Sequence, residues 1–170
     1  DNTIYKWNPG SGDTLVNGAI GIDAGGTKIF ATIWDGGGID TYDLSSYATG
    51  VTIDLNPGGY SVFGSSQLAN LGDGHFASGN IYNALLFQGN LASLIENALG
   101  GSGNDTFYLS SYNSNNLISG NGGTDTVWVT YNFGSGYTIQ LGSTASNLVM
   151  LGSAGFDTLL NCEFVTFANG

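Results

Sequence analysis

The segment Gly100–Tyr108, which reads Gly-Gly-Ser-Gly-Asn-Asp-Thr-Phe-Tyr, decides the fold of this 170-residue chain. Its glycines form a tight turn, the aspartate closes the turn, and a large apolar residue follows two positions later. The same frame of Gly-rich turn, Asp, Thr and apolar residue recurs at 35–42, 120–127 and 152–159. A frame that returns in this way predicts stacked coils, each contributing a turn and a short strand.

The nonapeptide Gly-Gly-x-Gly-x-Asp-x-U-x, where U is apolar, is the calcium-binding repeat of the parallel β-helices in RTX proteins. Gly100–Tyr108 matches this repeat at every fixed position. The segment 120–128 has Asn121 in place of one glycine, and asparagine also tolerates the left-handed conformation. The segments that begin at 35 and 152 are degenerate copies. Together they indicate a short calcium-binding roll.

Calcium takes about six to eight oxygen ligands, so one turn supplies only part of a site and a second, stacked turn must complete it. Asp105 and Asp125 are 20 positions apart, close to the roughly 18 residues of a coil with two nine-residue halves. Asp125 and Asp157 are 32 positions apart, which does not fit, so we expect a structural role for Asp157. The alternative is that these segments are ordinary Asp-Gly turns of a β-sandwich.

The charge is strongly one-sided, with 13 acidic residues against two lysines and a formal net charge of −11. Nucleic acids and anionic membrane surfaces bind basic proteins, so neither is an expected partner. No apolar run reaches the roughly 18 residues of a membrane span. Cys162 is the single cysteine, which excludes an internal disulfide, and its apolar surroundings predict a buried, inert thiol.

Short β-branched and aromatic runs between Gly, Asn, Asp and Ser clusters predict an all-β protein. We expect a short parallel β-roll fused to β-sandwich-like strands. The segments are a β-rich portion at 1–95 with the degenerate repeat at 35–43, the roll repeats at 96–131, and a β-rich end module at 132–170. One short helix is expected within 80–99, interrupted by Gly89. The predicted strands are Thr3–Trp7, Lys28–Trp34, Thr41–Leu44, Val51–Leu55, Thr106–Leu109, Thr126–Tyr131, Tyr137–Leu141, Leu148–Leu151 and Phe164–Phe167.

Residues 1–109 resemble the start of the C-terminal β-roll domain of serralysin-type metalloproteases. The stretches that carry the resemblance are Asn2–Tyr5, Ile33–Tyr47, Ile53–Asn56 and Leu94–Asp105. Residues 120–170 resemble the modules that end many RTX exoproteins, with a last repeat, Asp-Thr-Leu at 157–159 and Phe-Ala-Asn-Gly at 167–170. The resemblance implies a secreted protein that folds in extracellular calcium, accompanies export by type I secretion and supports an attached domain.

The resemblance also implies three sets of calcium ligands, which include backbone carbonyl groups. The first set is Asp1, Thr3, Asp35, Gly37 and Asp40. The second set is Leu94, Glu96, Gly101, Gly103 and Asp105. The third set joins Gly100, Ser102 and Asp105 to Asn121, Gly123 and Asp125.

No catalytic motif is visible, so we expect a non-catalytic chain. His75 is the single histidine, whereas a zinc protease of the H-E-x-x-H type needs at least two. Trp7, Trp34 and Trp128 are expected in the core, although they could instead form a sugar platform. Two alternatives remain open: an extracellular binding or surface-assembly module that acts through an aromatic face, and a cleaved portion of a serralysin-like zinc metalloprotease. The missing initiator Met and signal peptide suggest a fragment or a processed product.

Overall fold

The computed structural model describes residues 1–112, 115–132, 138–142, 147–152 and 155–169. Strands dominate these residues and α-helix is not found among them. The strands up to residue 76 are β1 (Ile4–Asn8), β2 (Ser11–Val16), β3 (Ala19–Ile22), β4 (Ala31–Ile33), β5 (Thr41–Asp43), β6 (Thr52–Asp54), β7 (Tyr60–Ser61), β8 (Asn70–Gly72) and β9 (His75–Phe76). The later strands are β10 (Ile81–Asn83), β11 (Asn97–Leu99), β12 (Thr106–Tyr108), β13 (Leu117–Ser119), β14 (Thr126–Trp128), β15 (Thr138–Leu141), β16 (Asn147–Gly152), β17 (Gly155–Leu160) and β18 (Phe164–Thr166).

Two sheets with parallel cores form the roll. The first sheet has the order β15-β16-β17-β13-β11-β5-β1-β2-β3, in which the strands from β17 to β1 pair in parallel. The second sheet has the order β18-β14-β12-β6 and is parallel throughout. The chain passes from β11 to β12 through one Gly-rich turn and from β13 to β14 through the next. The prediction of an all-β fold with a parallel roll is confirmed.

A single core lies between the two sheets. The strands β5, β6, β11, β12, β13 and β14 have three residues each, and the middle residue points inward because side chains alternate along an extended chain. Tyr42, Ala98 and Ile118 from the first sheet meet Phe107 and Val127 from the second, and all five side chains are fully buried. The spacing of two positions between the acid and the apolar residue therefore corresponds to a step from the turn to the core-facing position of the strand. The apolar residue anchors the strand in the core while the acid stays in the turn.

A third sheet, β4-β10-β7, continues the second sheet through a bridge between Thr52 and Val62. A single 3₁₀ turn, Ser65–Gln67, precedes the separate hairpin of β8 and β9. Strands from all three predicted segments, 1–95, 96–131 and 132–170, lie side by side in the two roll sheets. The parallel strands of these two sheets therefore extend on both sides of the segment 96–131. Among the described residues, no helix has the length and apolar character needed to cross a membrane.

The structure corrects two expectations and confirms the nine predicted strands. The segment 80–99 is not a helix: it contains β10, two single-turn 3₁₀ helices (Phe87–Gly89 and Leu91–Ser93) and β11. Its ends pair with β4 and β5, and these long-range partners override the local preference of the segment. Trp7 is fully buried as expected, but Trp34 is 68% exposed and Trp128 is 42% exposed, so these two tryptophans are not core residues.

Candidate metal-binding turns

The Gly-rich turns 100–105 and 120–125 lie directly over one another, because β11 pairs with β13 and β12 pairs with β14. Asn121 Nδ2 donates a hydrogen bond of 2.7 Å to the Gly100 carbonyl oxygen, and the Gly122 amide donates to the preceding turn at 3.2 Å. The predicted third ligand set is thus brought together. These residues offer carboxylate and carbonyl oxygens of the kind that calcium prefers.

Glycine is required where the turns touch. Gly123 has φ of +115°, and a Cβ atom at this position would overlap the Gly103 carbonyl oxygen of the turn beneath. Asn121 stands where the repeat motif has glycine, and its φ of +66° is the left-handed conformation expected at that position. The repeat glycines therefore allow two backbones to approach more closely than side chains would permit.

A ladder of carboxylates runs across the stack. The Val51 amide donates to Asp105 Oδ1 at 2.9 Å, the Asp105 amide donates to Asp125 Oδ1 at 2.7 Å, and the Asp125 amide donates to Glu163 Oε2 at 2.7 Å. Each acid therefore accepts the backbone N–H of the equivalent residue in the preceding coil. The pairing register places three carboxylates on neighbouring coils, at the end where the strands of the second sheet begin.

Burial makes this ladder electrostatically costly. Asp105 and Asp125 are each only 1% exposed. Burial raises the pKa of Asp105 to about 6, and the Asp125 charge adds to the rise. Burial and the neighbouring Glu163 charge raise the pKa of Asp125. In the described part of the chain, the salt bridge is between Lys6 and Asp43, at 2.8 Å and away from this ladder.

A second cluster forms at the other end of the strands, where the turn 35–40 leads into β5. The Thr3 amide donates to Asp40 Oδ1 at 2.7 Å, and the Asp1 ammonium donates to the Gly37 carbonyl oxygen at 2.9 Å. Asp35 Oδ2 accepts a hydrogen bond of 2.7 Å from the Tyr5 hydroxyl. The predicted first ligand set is therefore assembled from the chain start and this turn.

Glu96 belongs to this second cluster. The Asp40 amide donates to Glu96 Oε2 at 2.8 Å, so these acids lie on adjacent coils. Asp40 is fully buried, and its Oδ2 atom has no hydrogen-bond partner. Burial raises the pKa of both carboxyl groups, and each is further raised by neighbouring carboxylates. An unpartnered, buried carboxylate oxygen beside a second acid is the environment that a bound cation would satisfy.

The predicted second ligand set is divided by the structure. Glu96 precedes β11 and Gly101 follows it, so an extended strand of about 10 Å separates them. Leu94 and Glu96 lie with Asp40, whereas the turn 100–105 lies with its neighbour 120–125. The resemblance placed Glu96 and Asp105 at the same ion. In the structure each of them instead contacts an acid of an adjacent coil, Asp40 for Glu96 and Asp125 for Asp105.

The sequence analysis missed two parts of the stack formed by the turns 100–105 and 120–125. Glu163 ends the carboxylate ladder, and the signal was present in Glu163-Phe164-Val165, an acid two positions before a core-facing residue. The turn 45–50 forms the layer beneath turn 100–105, and the Tyr47 carbonyl oxygen accepts the Ser102 amide at 2.8 Å. This turn lacks the repeat motif, which is why the sequence did not reveal it.

Side chains alone do not complete a metal site. Among the described residues, no three His, Cys, Asp or Glu side chains are grouped so that they could hold one ion. Backbone carbonyl oxygens would have to supply much of any coordination shell, as the glycine turns permit. Cys162 is buried as predicted, and burial raises the pKa of its thiol to about 12, which makes it a poor ligand and nucleophile.

The family described as Peptidase M10 serralysin C terminal matches residues 1–157. Similar curated proteins include Serralysin C of Dickeya chrysanthemi, which is 36% identical over 83 residues. Metallopeptidase AprA of Pseudomonas marginalis is 31% identical over 104 residues. These alignments cover 49% and 61% of this chain but 14% and 17% of the relatives. The chain therefore spans less than a fifth of the length of the curated relatives it matches.

Proposed function

Because the chain belongs to the Peptidase M10 serralysin C-terminal family, we propose that it is a calcium-binding, non-catalytic module of a secreted bacterial protein. The roll would couple extracellular calcium to folding. It would also support type I secretion and the stability of an attached domain. The activity of any such domain lies outside these residues, since the chain has one histidine and no H-E-x-x-H motif.

The observation that carries the proposal is the ladder of Asp105, Asp125 and Glu163. Three acids stand on adjacent coils, two of them buried, and no lysine of the described chain reaches them. Lys6 pairs with Asp43, and Lys28 Nζ donates to the Ser66 carbonyl oxygen. Buried charges need a partner of opposite sign, and a hard cation matches carboxylate and carbonyl oxygens.

The proposed ligands follow the contacts rather than the chain order. At one end of the strands, Asp35 and Asp40 would bind one calcium with oxygens of Asp1, Thr3 and Gly37, and Glu96 would bind another with the Leu94 carbonyl oxygen. At the other end, Asp105 and Asp125 would bind calcium together with oxygens of the stacked turns; these turn residues are Gly100, Gly101, Ser102, Gly103, Asn121 and Gly123. The bound ion supplies positive charge, while the chain's own residues set the register that gathers the oxygens.

Calcium binding and folding are expected to be the same event, because the ligands come from coils that meet only in the folded chain. Extracellular calcium sites have dissociation constants of about 10⁻⁴–10⁻³ M. At about 1 mM calcium and a dissociation constant near 0.1 mM, each site stabilises the fold by about 1.4 kcal/mol. Two or three sites would then supply a sizeable part of the stability of a small domain.

The test is circular dichroism of the purified chain in excess chelator, followed by titration with calcium. We expect a weak β signal and a low melting temperature in chelator, and a cooperative gain of both as calcium is added. Magnesium at the same concentration is the control, since it demands smaller, octahedral sites. An identical spectrum and melting temperature with and without calcium would contradict the proposal.

A second candidate function rests on the outer face of the sheet β4-β10-β7. The rings of Phe30 and Tyr60 each contact the ring of Tyr82, with centroid distances of 5.8 Å and 5.5 Å. Phe30, Tyr82 and the exposed Leu85 border an open groove of about 590 Å³ that has no charged lining residues. An uncharged aromatic face on an acidic protein suits a neutral glycan, as in an extracellular binding module.

This second function is tested by screening the calcium-loaded chain on an array of neutral and acidic glycans. We expect neutral glycans to bind, and substitution of Tyr82 by Ala to reduce that binding at least tenfold. Trp128→Ala is the matched control, because Trp128 is an exposed aromatic residue on a different sheet. Absence of glycan binding, or equal loss in both variants, would exclude a glycan site at this face.

A further inference from the structure

We propose that two cavities on the outer face of the sheet β4-β10-β7 are the two ends of one groove, which binds a single extended, neutral β-1,4-linked glucan chain. The inference rests on the second candidate function, the glycan-binding face, and adds to it a second subsite and the shape of the ligand. The carrying observation is that two separate chain segments each run from one cavity to the other.

The first cavity is the groove at Tyr82 described above, here called the wider groove. The second cavity has a volume of about 270 Å³ and is lined by Trp34, Phe87, Asn90, Ala92 and Ser93. Its two aromatic residues are exposed, and none of the five lining residues carries a charge. The two cavities therefore share one chemistry, with aromatic rings beside uncharged polar groups, which suits a neutral ligand.

The segment around β4 connects the two cavities. Phe30 borders the wider groove and Trp34 borders the second cavity. Phe30, Thr32 and Trp34 are exposed while Ile33 is buried, so the three exposed residues lie on one face of the extended chain. The four residue steps from Phe30 to Trp34 span about 13 Å. One sugar ring is shorter than this distance, so only a chain of several rings contacts both cavities.

A second segment makes the same connection. Leu85 borders the wider groove, and Phe87, two residues later, borders the second cavity. Both side chains are exposed. The Ala84 amide donates to the Ile33 carbonyl oxygen at 3.0 Å, which holds this segment against the one that follows β4. The two cavities are therefore parts of one continuous, uncharged surface.

The arrangement of the aromatic residues indicates the shape of the ligand. Phe30 and Trp34 lie along an extended strand, so their ligand must also be extended. A β-1,4-linked glucan is straight and presents the apolar faces of its sugar rings along its length, and such faces pack on aromatic rings. Helical or strongly branched glycans would contact one cavity only. The net charge of −11 disfavours acidic polysaccharides.

Polar groups of the second cavity are available to sugar hydroxyls. Asn90 Oδ1 accepts the Ala92 amide at 3.0 Å, and within the described residues no acceptor contacts the Asn90 Nδ2 group. Ser93 is 7% exposed, and its Oγ atom makes no hydrogen bond. Rotation of this hydroxyl towards the cavity therefore breaks no existing bond, and a sugar hydroxyl would supply the missing partner.

The experiment measures the binding of cellobiose and cellohexaose, a short and a long member of one glucan series, by isothermal titration calorimetry in 1 mM calcium. We expect cellohexaose to bind at least tenfold more tightly, because it contacts both cavities whereas cellobiose occupies the wider groove. Trp34→Ala should reduce the affinity for cellohexaose to that for cellobiose and leave the affinity for cellobiose unchanged. Trp34 is exposed, so the melting temperature of this variant should stay native.

Three further variants serve as controls. Trp34→Phe keeps an aromatic ring and should retain most of the gain in affinity with ligand length. Tyr82→Ala alters the wider groove and should weaken the binding of both ligands. Trp128→Ala removes an exposed tryptophan from a different sheet and should leave both affinities native. If Trp34→Ala does not fold, Phe87→Ala provides the same test from the second segment.

Three results would overturn the single groove: no binding of cellohexaose, equal affinity for the two ligands, or the same loss for both ligands in Trp34→Ala. The glycan array separates this failure from that of the second candidate function. Neutral glycans that bind on the array and are lost in Tyr82→Ala would leave a glycan site at the wider groove alone. Absence of any neutral glycan binding would exclude the glycan-binding face together with this extension.

Discussion

Asp105 accepts hydrogen bonds both within its own turn and from the preceding coil. Asp105 closes its own turn by accepting the Gly101 amide at 2.7 Å, and it joins the preceding coil by accepting the Val51 amide at 2.9 Å. Its own amide is bound by the next acid of the ladder. A single aspartate therefore connects three layers of the roll.

Replacement of Asp105 by Asn is expected to remove at least one bound calcium and to reduce stabilisation by calcium. The amide keeps one acceptor, but its NH₂ group faces a backbone donor, which costs about 1–3 kcal/mol even without metal. Melting temperatures in chelator and in 1 mM calcium separate this structural cost from the loss of metal binding.

Asp23→Asn is the control for this variant, because Asp23 lies in an exposed loop outside the stacked turns. It should show the native difference in melting temperature between the two conditions. If both variants retain the same calcium-dependent shift, Asp105 is only a turn residue.

At the scale of elements, short strands depend on their turns. A strand of three residues forms few hydrogen bonds, so the stacking of turns must hold the register between coils. Gly123 and Gly103 are in contact between adjacent layers, and the Gly122 amide bonds to the turn beneath. The turns are therefore the structural joints between coils as well as the proposed sites.

Gly123→Ala is expected to destabilise the roll by roughly 2–4 kcal/mol, because it combines a strained positive φ with a clash against the lower turn. Gly89→Ala is the matched control: Gly89 has φ of +76° but open space where an added Cβ atom would lie, so only about 1 kcal/mol is expected. Chemical denaturation in calcium gives both values. Equal losses would show that the turns are not in close contact.

At the scale of the whole molecule, a net charge of −11 opposes a compact state. The acids are concentrated at the two ends of the roll strands rather than spread over the surface. Asp40, Glu96, Asp105 and Asp125 all have pKa values raised by burial as the main cause. Protons and calcium are therefore expected to compete for the same oxygens.

This competition predicts opposite pH dependence with and without calcium. A carboxyl group whose pKa is raised on folding favours the folded state below its unfolded pKa of about 4, and that contribution is lost as pH rises through the folded value. For Asp105 the folded pKa is about 6. In chelator, the melting temperature should therefore rise as pH falls from 7 to 5.

In saturating calcium the trend should reverse, because protonated carboxyl groups release the metal. Burial acts to raise the pKa of Asp35 and Asp43, but hydrogen bonds from Tyr5 and Lys6 lower it overall, so both groups stay ionised between pH 5 and 7 and leave the trend in chelator unchanged. Melting curves at pH 5, 6 and 7 under both conditions provide the measurement. The same slope with and without calcium would show that the metal does not bind these buried acids.

The sequence by itself determined the all-β class, nine strand positions and the two stacked turns 100–105 and 120–125. These features are local, because each needs only the glycines of one turn, the acid that closes it and the apolar residue that follows. Spacing close to one coil then predicted which two turns would stack. Where two turns are separated by about one coil, as Asp105 and Asp125 are, the number of residues between them is enough to predict that the turns stack.

Only the tertiary structure decided which other acids meet. Glu96 joins Asp40 across 56 residues, and Glu163 joins Asp125 across 38. Insertions of variable length between coils remove the fixed spacing, so the partners are set by parallel pairing and not by position along the chain. The same long-range pairing turned the ends of 80–99 into strands, since hydrogen bonds to neighbouring coils outweigh a weak local preference for helix.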